Sequence, residues 1–86
     1  MKYVIKVGSN VDEIRYLQTR KGESPYWLYE EYRRNATTYE TIEQATKVIG
    51  TMISEWLYTT WTILKIGDIE QERYTPIKEI VISEHK

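Results

Sequence analysis

Between Thr41 and Tyr58 the apolar residues fall at Ile42, Ala45, Val48, Ile49, Met52, Ile53, Trp56 and Leu57. Steps of three and one repeat along this stretch, so every one of these side chains lands on a single stripe of a 3.6-residue helix. Thr41 followed three residues later by Gln44 has the form of a capping box. Glu43, Lys47, Gly50 and Ser54 share the opposite face, with Glu43 and Lys47 spaced as a favourable i,i+4 pair. The pattern predicts an amphipathic helix over about residues 41–58, roughly 27 Å long at 1.5 Å per residue. A helix with one apolar stripe needs a surface to cover it, and here only a sheet can supply one.

The rest of the chain alternates as strands do. Residues 2–7 place Tyr3, Ile5 and Val7 on one face and Val4 on the other. Gly8-Ser9-Asn10 is a turn signal. Residues 13–19 read as a second strand hairpinned to the first, with Ile14 and Tyr16 opposed to Arg15 and Leu17. Residues 24–34 carry two signals. Ser24-Pro25 suits a helix start, and Glu30–Arg34 would then pair, yet Tyr26-Trp27-Leu28-Tyr29 favours a strand. A strand over about 26–32 is the expectation. Residues 36–39 look extended. Residues 60–66 and 77–83 read as the last two strands, separated by a polar stretch over 69–76 that ends at Pro76. The expected fold is a two-layer α+β domain. One long helix packs on a mainly antiparallel sheet, in the order strand-strand-(strand)-helix-strand-strand. At 86 residues the chain forms one domain.

Composition removes whole classes of chemistry. Cysteine is absent, which excludes disulfides, thiolate nucleophiles and Cys-ligated metals. The one histidine, His85, lies next to the C-terminus, and GxGxxG, Walker A, GxSxG and HExxH patterns do not occur. Three acidic groups stand out: Asp12-Glu13, Glu30-Glu31, and Glu70 with Glu72. They fall in turn-like segments, where a solvated surface outweighs a catalytic pair. No cofactor, metal or enzymatic activity is expected. No apolar run approaches the ~20 residues of a membrane span. The start does not read as a signal peptide, and the cytoplasm is the expected compartment. For the same reason the sequon Asn35-Ala36-Thr37 is set aside.

The net charge of −1 argues against a general nucleic-acid binder. Residues 1–38 hold seven basic and five acidic side chains, and residues 39–86 hold five and eight. This asymmetry is compatible with dimeric contacts but names no partner. The eight Tyr, three Trp and no Phe give every aromatic ring a polar handle, which suits half-buried margins and interfaces. Within 26–34, Tyr26, Trp27, Tyr29, Tyr32, Arg33 and Arg34 cluster the residue types that dominate protein interfaces. The same types also stack bases in single-strand binders, but Glu30 and Glu31 weaken a phosphate reading. These six residues are the expected protein-binding site. Single-stranded nucleic acid or a nucleotide is the alternative ligand.

Residues 3–49 carry one further pattern. The start Tyr3-Val4-Ile5-Lys6, the Tyr16-Leu17 strand and Trp27 precede Ala36-Thr-Thr-Tyr39-Glu-Thr41-Ile-Glu43-Gln-Ala45. This resembles small phage- and prophage-encoded proteins of unknown function, in which an "Ala-x-x-aromatic" strand end meets a helix opening "Thr-x-Glu-x-Ala". The resemblance implies an accessory phage protein that works by binding a host or phage protein in the bacterial cytoplasm. It transfers no functional residue.

Overall fold

The computed structural model describes residues 2–8, 13–53, 58–68, 70–71 and 73–82. Among the described residues five strands form one sheet: β1 (Lys2–Gly8), β2 (Ile14–Gln18), β3 (Tyr26–Leu28), β4 (Thr60–Asp68) and β5 (Arg73–Val81). Their spatial order is β3-β2-β1-β4-β5, with every pairing antiparallel. One α-helix, α1 (Ile42–Met52), lies on one face, against β1 and β4. The protein is therefore α+β, as the alternating strands and the single helical stripe require.

Period-two alternation divides β1 cleanly. Tyr3, Ile5 and Val7 point under the helix, where they meet Leu17, Trp61, Ile63, Ala45 and Ile49. Val4 points to the far face, where it meets Tyr16, Leu64 and Ala36. Antiparallel sheets commonly leave one face to solvent; this one is apolar at the centre of both. Lys78 also reaches from β5 to α1, donating from Nζ to Thr46 Oγ1 at 3.3 Å.

The helix is shorter than its stripe suggested. Thr41 caps it by accepting from the Gln44 amide at 3.1 Å, and Gln44 Oε1 accepts from the Glu40 amide at 2.9 Å. The last helical residue is Met52. Two features favour an early stop. No basic residue sits in the last turn to oppose the helix dipole. The β-rich run Tyr58-Thr59-Thr60-Trp61 follows, and its Thr59 amide donates to Gly8 O at 3.0 Å, aligning β4 with β1. The expected helical residues Trp56 and Leu57 lie outside the described residues, as do Ser9, Asn10 and His85.

Three other expectations are corrected. The strand expected over 26–32 ends at Leu28, and a 3-10 segment, Glu30–Asn35, follows it. Glu30 and Glu31 open this segment, and Arg33 and Arg34 close it, a charge order that suits a helical dipole. It stands between β3 and α1, so the strands flank the helix differently from the expected order. The last strand begins at Arg73 rather than at residue 77. Pro76 is tolerated because β5 is an edge. The register shifts beside it, where Ile63 faces Lys78 and Leu64 faces Pro76, so Ile77 is the extra residue of a bulge.

The 3-10 segment packs on β2 and β3 on the far face, whereas α1 lies on the near one. The chain must therefore cross the sheet between them, and it does so through the sheet itself. The β1–β2 ladder runs only over Lys6–Gly8 and Ile14–Tyr16. Beyond it the two strands part, and residues 36–39 fill the gap. On the β2 side the Thr37 amide donates to Leu17 O at 3.1 Å, and Thr37 Oγ1 accepts from the Thr19 amide at 2.7 Å. On the β1 side Tyr3 and Tyr39 exchange two backbone bonds, at 2.9 and 2.8 Å. Ala36 packs on the far face and Tyr39 on the helix face. Lys2 and Glu40 form an exposed ion pair beside the crossing.

Candidate interaction surface

The six residues singled out in the sequence occupy three environments. Tyr26, Tyr29 and Tyr32 are exposed, at 43, 56 and 52% of their full area. They follow one another along the β3 edge of the sheet and into the 3-10 segment. Arg34 is also exposed, but it donates from Nη2 to Glu70 O at 3.2 Å, in the turn between β4 and β5 on the other side of the sheet. Trp27 is half-buried and turns the other way, under the helix side. Its ring centroid lies 4.9 Å from that of Tyr58 and 5.9 Å from that of Trp61. Period two decides this: Trp27 is paired with Leu17, a helix-face residue. Arg33 turns to the far face, with its guanidinium 4.7 Å from the centre of the Tyr74 ring and 3.4 Å from Glu30. The three tyrosines thus form a rim that runs from the β3 edge into the 3-10 segment, Trp27 and Arg33 sit on opposite faces of the sheet, and Arg34 reaches away from the rim to the β4–β5 turn.

Three residues that sequence reasoning did not select complete the rim. The Arg15 guanidinium stacks on Tyr29 at 4.2 Å and is itself held by Glu13 at 3.1 Å and Ile14 O at 2.9 Å. The Arg20 guanidinium lies 5.2 Å from the Tyr26 ring centre. The Tyr26 hydroxyl donates to Glu23 Oε1 at 2.8 Å, and this bond to a carboxylate holds the phenol above its ordinary pKa. Energetically significant cation–π contacts occur roughly once per 70–80 residues. Here Arg15 and Arg20 each lie over a rim tyrosine, so two of the rim's rings are braced, while Arg33 lies over Tyr74 of β5. The alternation of β2 carried part of this signal, since it put Arg15 on the same face as Leu17. Nothing in the spacing joined Arg15 to Tyr29 across two strands.

Of the three acidic groups, Glu13 pairs with Arg15, and Asp12 and Glu72 lie outside the described residues. Glu30 pairs with Arg33, and Asp68 Oδ1 accepts from the Glu70 and Gln71 amides at 3.0 and 3.3 Å to shape the β4–β5 turn. Among the described residues no cluster of His, Asp and Glu could hold a metal ion, and no pocket opens. No described helix is long and apolar enough to cross a membrane. Comparisons with family models, with characterised proteins and with solved structures gave no match.

Proposed function

We propose that this chain is a non-enzymatic interaction module that binds a protein partner through the rim of Tyr26, Tyr29 and Tyr32. One observation carries the reading: three exposed tyrosines lie close together in the edge strand β3 and the 3-10 segment after it, with two of their rings braced by arginines. Large amphipathic rings held in place lose little rotamer freedom on binding, so most of the area they bury contributes to affinity. A braced ring also has one face already covered by a guanidinium. That favours a protein surface over a strand of bases, which needs open ring faces for stacking. The resemblance of residues 3–49 to phage-encoded proteins supports an accessory role in the bacterial cytoplasm, directed at a host or phage protein.

The test is affinity capture from the host with the native chain and with Tyr29→Ala and Tyr32→Ala. The expected result is a protein partner that the native chain retains and both variants lose, with unchanged thermal unfolding. Equal retention by the variants would remove the rim from the account. Retention of oligonucleotides instead, with steep salt dependence, would favour the nucleic-acid alternative.

A further inference from the structure

The two edges of the sheet are built differently. β5 carries Pro76, the bulge at Ile77 and the charge of Lys78, all devices that turn another strand away. β3 has no proline, bulge or charge over its three residues. It is too short to offer another chain much backbone, so what it offers is side chains. Tyr26 at its start and Tyr29 just past its end are both exposed.

This edge is also electrically polar along its length. At the Tyr26 end a tight turn follows β2. The Glu23 amide donates to Arg20 O at 3.1 Å, and Gly22 takes the positive φ of 77° that such a turn requires. The turn presents Arg20 and Lys21 to solvent against a single acid, Glu23, whose carboxylate accepts from the Tyr26 hydroxyl. At the Tyr29 end the 3-10 segment opens with Glu30 and Glu31, and Glu13 precedes β2. Glu30 is matched by Arg33 and Glu13 by Arg15, while Arg34 is turned away to Glu70 O. Among the described residues Arg20, Lys21 and Glu31 enter no ion pair. The Tyr26 end therefore keeps a net positive charge and the Tyr29 end a net negative one. Gln18 lies opposite Tyr26 and Tyr16 opposite Leu28, so these two ends are the two extremes of the edge.

We infer that the rim's occupant is a second copy of this chain, related to the first by a two-fold axis across the β3 edge. Such an axis reverses the direction of the edge in the other copy, so each patch meets its opposite end. It brings Arg20 and Lys21 of one copy to Glu31 of the other, twice over, and sets Tyr26 against the other copy's Tyr29. An edge with unmatched charge of opposite sign at its two ends is complementary to its own reverse, and like charges meet in the parallel arrangement. The inference rests on the reading of the rim as a binding surface and names what that surface binds.

Sedimentation equilibrium of the purified chain tests it. The weight-average mass of the native chain is expected to rise with concentration from 10.3 kDa towards twice that value, and to rise less in high salt. Lys21→Glu and Glu31→Lys each set like charges against one another across the two-fold, and each should weaken self-association about tenfold. Both side chains are exposed, so each variant should keep the native thermal unfolding. Mixed in equal amounts, the two variants should associate again, because each reversed charge then meets an opposite one. The two positions lie at opposite ends of the edge within one chain, so only a contact between copies gives this rescue. A native chain that stays at 10.3 kDa at every concentration would overturn the inference. Association that survives both reversals, or variants that do not rescue one another, would overturn it too. The reading of the rim fails separately, on capture of a partner that Tyr29→Ala and Tyr32→Ala leave unchanged. A monomeric chain whose capture of another protein depends on Tyr29 would keep the rim and remove only the second copy.

Discussion

Tyr3 and Tyr39 exchange two backbone hydrogen bonds at 2.8 and 2.9 Å, on the side of β1 where its ladder with β2 has not yet begun. This places the connection between the two covering segments inside the sheet. The neighbouring Thr37 makes the matching bonds to β2 through its amide and its hydroxyl. Thr37→Val keeps the shape and removes the acceptor of the Thr19 amide. A partly buried donor left unpaired costs about 1–3 kcal/mol, so the urea midpoint should fall by a corresponding amount. An unchanged midpoint would mean that water serves the Thr19 amide equally well.

Ile49 and Ile53 both lie on the helical stripe, but only Ile49 is fully buried. Ile49→Ala should cost about 2–5 kcal/mol. Ile53→Ala should cost clearly less, because Ile53 stands at the C-cap with part of its surface in water. Equal losses in chemical denaturation would show that Ile53 is as enclosed as Ile49.

Gly50 is exposed in α1, and a Cβ built there would meet nothing within 4 Å. Gly50→Ala should therefore stabilise the protein by about 0.5–1 kcal/mol through backbone entropy. A loss of stability would point to a close approach at this position by another chain.

Burial pushes the Tyr16 and Tyr39 hydroxyls above the ordinary tyrosine pKa. The sign follows from linkage: the folded state holds these protons more tightly than the unfolded state. Their contribution is complete below pH about 10, where free tyrosine titrates, and is lost as pH rises through the folded values. Urea midpoints should be level from pH 8 to 9.5 and fall beyond pH 10. Tyr16→Phe should flatten part of that fall. A fall of the same size in the Phe variant would assign it to other groups.

Trp27 was legible as an interface residue type, but its position in the fold gives it another task. Its half-buried ring packs at an angle against Tyr58 and edge-on against Trp61, so Trp27→Ala should cost about 3 kcal/mol, the low end for a core Trp. Such a substitution would report stability rather than binding. Trp27→Ala with native-like thermal unfolding would show that the cluster closes without it.

What the sequence disclosed, and what it did not, follows from the range of the interactions. Local periodicity fixed the opposed faces of β1, the Thr41 cap and the stripe of α1, because each depends on neighbours within four residues. The end of α1 was misread because the stripe continues through Ile53, Trp56 and Leu57, while the demands of β4 are set by Gly8, fifty residues away. The turn of the chain after Leu28 was hidden by the strand-forming Tyr29 and Tyr32. Their rings are exposed rather than buried in the sheet. At the rim the residue types were visible in 26–34, but the division of Trp27 and Arg33 between two faces needed the pairing of β3 with β2. The contributions of Arg15 and Arg20 come from β2 and from the turn after it, and no spacing along the chain announces them.

The most direct test of the interaction reading is a photo-crosslinking residue placed at Tyr32 on the rim, or at Lys47 on the exposed face of α1, in the native host. The account predicts one discrete protein adduct from position 32 and none from position 47. The same adduct from both positions, or adducts with nucleic acid alone, would contradict it.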